Sequence, residues 1–566
     1  MLSRLAVAAL LTLSLGASAA ADPLRIEAVI APGAAPSGPL TGRLLVAISK
    51  DGGDDPRLQI KESYDSQQLF GEDVNGSVAR TFVMDAAANG YPVEQLKDLP
   101  AGDYTVQAVF NVYDHFHRAD GHTIDLPADH GEGQQWKEKP GNPYSSPIKL
   151  HLSPDGGAVR LILDKNFPAA KPADPDTPWL KHVHMKDDRL SKFWGRDVFL
   201  DAFVLLPQGW AEHPDAHYPV VVYQSHFSSS FRAMGSWSEA PPAAGLKDHD
   251  LEQARAAYAH YQQWTAGLLP HVILVQVNHA NPFYDDSYAV NSANVGPYGD
   301  AINLDLIPEI ERRFRGLGAG WARATYGGST GGWEALATQV LYPDTYNGAW
   351  GLCPDPVDFH AYQAANLYDD ENAYSRRGPF GSIDIVSDRA GDSEVNATMR
   401  GVNRYESAIG SHGRSAEQYD AWQAVFSPVG PDGYPARVYD KATGKIDKAV
   451  VAYWRDHYDL NFILKRDWPT LGPKLEGKLH VAVGDSDTYY LNNAVHMLET
   501  ALKGTRAPHS DATFDYGSRA PHCYTGAEPD WARGLGVSAI ERFLPDMAAH
   551  MVSSAPSGSD VKSWRY

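Results

Sequence analysis

The sequence predicts two domains of different class: an N-terminal antiparallel β-sandwich, then a larger α/β domain built on a mostly parallel sheet flanked by helices. Three observations predict it. Short alternating apolar runs separated by turn residues fill the first part of the chain. A proline-rich segment, FPAAKPADPDTP, follows from Phe167 to Pro178, and beyond it strand-like and helix-like runs alternate. At 566 residues the chain is also too long for one ordinary core.

Residues 1–21 are expected to be an export signal. Arg4 supplies the positive start, Leu5 to Leu15 the apolar stretch, and Ala17-Ser18-Ala19 or Ala19-Ala20-Ala21 the small-residue cleavage site. The apolar stretch is short for a membrane span, and no later segment has the uncharged length of one. A mature protein outside the cytoplasm, periplasmic or extracellular and without stable membrane insertion, is the expectation.

The β-domain is expected over 22–167. LTGRLLVAIS, ARTFVMD, GDYTVQAVFNVYD, SPIKLHLS and AVRLILDK read as strands, and DGGDD, PAGD and SPDGG as the turns between them. The linker takes 168–178, the α/β domain 179–548 and a loose tail 549–566. Within the α/β domain RDVFLDAFVLLP, YPVVVYQS, HVILVQVN, RATYGG, YNGAWGLC, KLHVAVGD and ATFDY are strand candidates. LEQARAAYAHYQQWTAGLL, INLDLIPEIERRFRGL, WEALATQVLYP and NNAVHMLETALKG are helix candidates. Residues 354–470, rich in Tyr, Asp, Gly and Pro, are too long for a connection and read as an insertion over the sheet.

A formal charge of −21 gives no basic face for nucleic acid, so that class of partner is excluded. The two cysteines, Cys353 and Cys523, form no CxxC motif, and the histidines of VYDHFHRADGH (His115, His117, His122) lack a fourth ligand. Neither a metal nor a cofactor is expected.

The stretch YGGSTGGWEAL, Tyr326 to Leu336, carries the chemistry. The pattern Gly327-x-Ser329-x-Gly331 is common by chance, but here a strand precedes it and a helix follows, as a nucleophile elbow requires. Gly327 and Gly331 leave room where side chains would strike the neighbouring strand and helix. A serine hydroxyl needs a base, and behind such an elbow the chain order is Ser, acid, His. KLHVAVGDSDTYY offers Asp487 and Asp485 past a late strand; Asp487, in the G-x-x-D position, is the preferred acid and Asp485 the competitor. His522 follows ATFDY and is the expected base, ahead of His509, which precedes that strand. Oxyanion donors are expected at the backbone of Thr330 and, from the loop SHFSSSF, of Phe227, with His226 shaping that loop. Asp355, Asp358, His360 and Tyr362 of the insertion are placed near the pocket by position alone.

With these pieces in place, residues Trp179 to Ala548 resemble the putative-esterase branch of the α/β-hydrolases, which includes enterochelin-esterase-like, esterase-D-like and feruloyl-esterase-like proteins. The carriers are VLLPQGW, VVVYQSHF, GPYGDAINLDLIPEIERRFR, YGGSTGGWEAL, VGDSD and PHCY. The resemblance implies an eight-stranded core, a triad of Ser329, Asp487 and His522, and hydrolysis of a small-molecule, glycan or lipid ester. Gly328 and Thr330 depart from the residues usual beside that serine, so substrate preference does not carry over. A peptidase or acyltransferase of the same fold, and a silent binding protein that kept it, are the alternatives. Cys353 and Cys523 both fall at carboxyl ends of strands, and a disulfide anchoring the histidine loop is expected, with two free thiols as the alternative. Oligomeric state is not legible.

Overall fold

The protein is described by a computed structural model over residues 22–50, 52–130, 133, 135–170, 175–226, 230–525 and 539–566. The expected export signal lies outside the described residues. Among them, no helix is long and apolar enough to cross a membrane.

The N-terminal domain is one continuous nine-stranded sheet. Its strands are β1 (Arg25–Ile30), β2 (Leu40–Ser49), β3 (Gln68–Ser77), β4 (Thr81–Met84), β5 (Asn89–Tyr91), β6 (Gly102–Val112), β7 (Pro143–Ser145), β8 (Ile148–Leu152) and β9 (Ala158–Asn166). The order is β4-β1-β9-β7-β6-β2-β3-β5, with β8 also on β6. All pairings are antiparallel except β1 with β9. The sheet curls over its own core: Phe82 of β4 stacks on Phe110 of β6 at 5.3 Å, although three strands, β1, β9 and β7, lie between them in the order. The sandwich expected from sequence is thus one sheet folded on itself. Period-2 alternation in β2 explains its continuous apolar sequence. Leu44, Val46 and Ile48 face this inner core, while Leu45 and Ala47 face a second cluster with Tyr405, Ala408 and Ile409 of the other domain.

The C-terminal domain carries an eight-stranded sheet. Its strands are β10 (Leu180–Lys186), β11 (Phe199–Leu205), β12 (Val220–Gln224), β13 (Ile273–Asn278), β14 (Arg323–Gly328), β15 (Ala349–Leu352), β16 (Leu479–Gly484) and β17 (Thr513–Gly517). The order is β10-β11-β13-β12-β14-β15-β16-β17. The strand β11 runs antiparallel to both neighbours, and β13, β12 and β14 to β17 are parallel. Helices α1 (Asp248–Thr265), α2 (Ile307–Phe314), α3 (Thr330–Leu341), α8 (Asn492–Lys503) and α9 (Ala539–Ser554) connect and cover the sheet; the insertion supplies α4 (Met399–Ile409), α5 (Gln418–Phe426), α6 (Lys448–Tyr458) and α7 (Leu460–Leu471). The predicted single helix INLDLIPEIERRFRGL is divided: Ala301–Leu306 is a wider π-helical turn that leads into α2. The expected loose tail is docked. Trp564 is buried, and the Tyr566 hydroxyl donates to the Gln208 carbonyl at 2.7 Å.

The insertion binds the two domains together. α4 lies against β3 and β5, so closely at Gly71 that a Cβ there would fall 1.9 Å from the Ala408 carbonyl oxygen. A helix end leaves carbonyls unpaired, and here Arg43 of β2 supplies the donors. Its Nε donates to Ala408 O at 2.9 Å, Nη2 to Ser407 O at 2.8 Å, and Nη1 to Asp73 Oδ1 at 2.7 Å. Burial pushes the Asp73 carboxyl up, but Arg43, Ser411 and Arg414 hold it below the usual carboxylate range. Replacing Arg43 by Met is therefore expected to leave two helix-end carbonyls without a donor and the half-buried Asp73 with only Ser411 and Arg414, at a cost of roughly 1–3 kcal/mol. Urea unfolding of R43M checks this. Because the Asp73 value is depressed in the folded protein, its stabilising contribution is present above the unfolded value and is lost as pH falls through the folded one. The difference between R43M and the parent should accordingly shrink in acid.

Candidate active site

β14 sits between β12 and β15, with Gly327 opposite both Gln224 and Gly351. The chain turns from β14 into α3 through Ser329 alone, whose φ of 58° and ψ of −122° lie where non-glycine residues are rarely found. Contacts fix that turn. A Cβ on Gly331 would lie 2.0 Å from the Gln224 carbonyl oxygen, one on Gly327 2.4 Å from the same atom, and one on Gly332 2.5 Å from Leu352 O. Gly328 is different: its nearest neighbour would be 4.0 Å away. The two glycines singled out from sequence are needed for close approach, and Gly332 joins them.

Asp487 stands in the turn after β16, where its Oδ1 accepts from the N–H of Tyr489 at 2.9 Å and of Leu491 at 3.3 Å. Its Oδ2 lies 2.8 Å from His522 Nδ1, and His522 Nε2 lies 2.9 Å from Ser329 Oγ. The structure thus brings together the three residues that sequence selected, in the predicted order. Asp485 instead accepts from the backbone N–H of Arg519, and His509 contacts the Thr505 carbonyl.

A mostly parallel eight-stranded sheet with one antiparallel second strand, and a strained serine between its central strand and the next helix, decides the architecture. This is the α/β-hydrolase fold. No family model matches the sequence, and no curated protein is similar to it. Among solved structures, a ferulic acid esterase matches 66% of this chain and 99% of its own at 14% identity and a TM-score of 0.36. An S-formylglutathione hydrolase from Agrobacterium tumefaciens matches 67% and 97% at 12% identity and a TM-score of 0.32. The fluorophosphonate-binding serine hydrolase F of Staphylococcus aureus matches 65% and 97% at 13% identity and a TM-score of 0.33. At these scores the likeness assigns no substrate and no residue.

The hydrolase sheet explains the surroundings of the serine. Thr330 opens α3, so its N–H is among the first-turn donors that have no partner within the helix. The side chain of Thr330 donates to Asp355 Oδ2 at 3.0 Å, and Tyr288 donates to the same oxygen at 2.8 Å. Burial pushes Asp355 up to about 6, against these two hydrogen bonds. The other insertion residues chosen by position are engaged elsewhere. Asp358 contacts His360 and Asn461, and Tyr362 packs on Trp422 and Trp454. Phe227, the expected second oxyanion donor, lies outside the described residues. His226 beside it is pushed down to about 3 by burial and by His279 and His522.

Sequence reading missed Arg389, whose guanidinium donates to the Asp487 carbonyl at 3.1 and 3.3 Å and covers the Tyr490 ring at 4.3 Å. It also missed Tyr489, edge-on to the His522 ring at 4.9 Å. Glu62 brings the N-terminal domain into this neighbourhood; burial, then Asp388, raises it to about 7. Arg389 and Glu62 stand in no motif, and Tyr489, two residues past Asp487 in KLHVAVGDSDTYY, gives no signal of its own.

Cys353 and Cys523 are free thiols, and with His522 they place ligand atoms within 4.8 Å of one another. Both His522 nitrogens are engaged by Asp487 and Ser329, so a metal here would displace those two contacts. Burial pushes the Cys353 thiol up, whereas the hydrogen bond from Cys353 and the charge of His522 pull Cys523 down.

Two outcomes follow. Gly331→Ala should lower stability by about 2 kcal/mol or more, since backbone cannot yield to the new methyl, while Gly328→Ala should melt with the parent; thermal denaturation of both checks it. Unreduced protein alkylated after denaturation should carry labels on both cysteines, and none after a mild disulfide oxidant has joined the pair. Labels that persist after oxidation would show that the sulfurs do not reach each other.

Proposed function

We propose that this chain is an exported serine hydrolase of carboxylic esters, acting on a small-molecule, glycan or lipid ester through an acyl-enzyme. The observation that carries the reading is the unbroken hydrogen-bonded line from Asp487 through His522 to Ser329. Asp487, buried and fixed by two backbone N–H groups, accepts the Nδ1 proton of His522 and so leaves Nε2 as the acceptor for the serine proton. Ser329 Oγ then attacks the acyl carbon while its proton passes to His522 Nε2. The Thr330 N–H, with a donor from the loop after β12, where Phe227 stands, holds the oxyanion. His522 returns the proton to the departing alcohol. Water attacks the acyl-enzyme, its proton passes to His522, and Ser329 is released with the acid. The insertion, packed over the sheet and clamped on the N-terminal domain, limits access of bulk water.

The electrostatics set a sign for the pH dependence. Burial works against a charged His522, but the Cys523 sulfur and the Asp487 carboxylate outweigh it and hold the imidazole well above its ordinary value. The base must be neutral, so kcat/KM is expected to rise with pH through an inflection above the usual imidazole range. Asp487→Asn should move that inflection down and lower kcat on the order of 10⁴-fold, the size of the effect when the orienting carboxylate of a serine protease triad is lost.

The direct test is labelling of the mature protein with a fluorophosphonate probe. Wild type is expected to label, and Ser329→Ala and His522→Ala are expected not to. A well-folded wild type that stays unlabelled would return the chain to the binding proteins. Amino-terminal sequencing of secreted material tests export, with a start at Ala20 or Asp22 expected.

A further inference from the structure

The turn that carries Ser329 is held from a further side. Just past β15 the chain runs alongside it: the Ser329 N–H donates to the Leu352 carbonyl at 2.9 Å, and the Asp355 N–H donates to the Ser329 carbonyl at 3.2 Å. The Ser329 carbonyl and the Thr330 N–H belong to one planar trans peptide and point in opposite directions. Fixing the first therefore aims the second. The N–H groups of Gly332 and Trp333 reach the same carbonyl from within α3, at 2.9 and 3.2 Å, and Asp355 adds a contact from outside the helix.

The Asp355 side chain grips the other end of that peptide. Its Oδ2 accepts from the hydroxyls of Thr330, at 3.0 Å, and Tyr288, at 2.8 Å. Tyr288 is fixed in turn. It stands at a φ of 56° in the loop after β13, where non-glycine residues are seldom found, and Gln418 of α5 donates to its hydroxyl. Thr330, Tyr288 and Asp355 are all buried. Packing alone does not call for a carboxylate here, because burying one is costly and an amide or an apolar group would fill the space at less cost. The carboxylate is instead directed at the residue whose N–H the proposed reaction uses.

We propose that Asp355 is the positioning residue of the oxyanion donor, locking the Ser329–Thr330 peptide at its carbonyl through its own N–H and at the Thr330 side chain through its carboxylate. The inference rests on the reading of the chain as a serine hydrolase. Asp355 works through the Thr330 N–H, which is aimed before charge develops on the substrate. Burial pushes the carboxyl up to about 6, against the two hydroxyls, the His522 charge and Trp422 of α5. Asp286, in the loop after β13, and Glu334, on α3, face the same network, and burial and neighbouring carboxylates push both well up. Below about pH 6 Asp355 takes up a proton, and the two hydroxyls lose their charged acceptor.

The test measures the rate at which a fluorophosphonate labels Ser329 in the whole mature protein, since the phosphoryl oxygen takes the place of the oxyanion. Asp355→Asn keeps the N–H and the shape and removes only the charge. In mildly alkaline buffer it is expected to label on the order of ten- to a hundredfold more slowly than wild type. That deficit should shrink as pH falls through about 6, where the wild-type carboxyl becomes neutral too. Thr330→Val should be slowed similarly, and Thr330→Ser, which keeps the hydroxyl, should recover most of that loss. The Asp355→Asn, Thr330→Val double variant should be no slower than the slower single one, because both act through one contact. A folded Asp355→Asn that labels as fast as wild type, or faster, overturns the proposal, and so do two losses that multiply in the double variant. If Asp355→Asn does not fold, Thr330→Val labelling at the wild-type rate overturns it instead. Wild type that does not label removes the hydrolase reading and this inference with it, whereas an active wild type beside unimpaired variants removes this inference alone.

Discussion

The contact between Gly331 and the carbonyl of Gln224 is the constraint on which the rest of the site depends. β14 and α3 can meet at a single residue only because backbone touches backbone there, with no Cβ between. That contact forces Ser329 to a positive φ and lifts its side chain clear of both elements. Once Oγ is fixed, the imidazole has one place to stand, and the carboxylate behind it has one side from which to approach. The Ser329–His522–Asp487 distances follow from a steric fact set in six residues of sequence. Strain at one serine is maintained by the packed sheet on either side, where β12, β14 and β15 run parallel and buried.

What was legible in the sequence follows the same logic. The elbow could be read because glycine, strand and helix signals coincide within a dozen residues. Asp487 and His522 could be placed because each follows a strand with a clear apolar run. The edge strand β10 was not found. Its residues LKHVHMK mix lysine and histidine with apolar groups, so no strand-like run stands out, as suits an edge that must not pair with other chains. β3 was missed for a related reason: QLFGEDVNGS is buried only over its first half, and its Gly71 and Asp73 serve α4 rather than the sheet. Arg389 was invisible because its value lies in whose carbonyl it meets, a partner 98 residues away.

The two domains were expected as modules joined by a proline-rich linker, and here tertiary packing outweighs the linker. The hairpin Asp114–His117 with Thr123–Leu126 leaves the N-terminal sheet and buries Phe116, Ile124 and Leu126 in the core of the hydrolase domain. Phe116 meets Trp194 edge-on at 5.2 Å. In the opposite direction α4 buries Tyr405, Ala408 and Ile409 against β2 and Tyr91. Arg414 adds its guanidinium over Tyr113 at 4.7 Å. Apolar surface is shared both ways, so neither part would keep its full core alone. The N-terminal domain accordingly reaches the insertion and the turn after β16, where Glu62 stands near Asp388 and Tyr489.

Burial gives the acids of this protein two different fates. Half-buried Asp73, and buried Asp487 and the pair Glu406–Asp420, lie beside a guanidinium, two backbone N–H groups and the ammonium of Lys441 respectively, and each thereby has a donor to offset the loss of water. Asp286 keeps one donor, the Tyr288 N–H on its Oδ1 at 2.9 Å, and burial and the neighbouring carboxylates push both it and Glu334 well up, so that the two share a proton-bearing contact. A sequence under no demand at those positions would place amides or apolar groups there, because an uncompensated buried carboxylate is among the most costly side chains a fold can carry. Glu334 stands five residues past Ser329 on the helix that the elbow fixes, and Asp286 stands two residues before Tyr288, whose hydroxyl reaches Asp355 and Thr330. The proton that neutralises the acids therefore sits beside the same short piece of backbone that the proposed mechanism uses for the oxyanion.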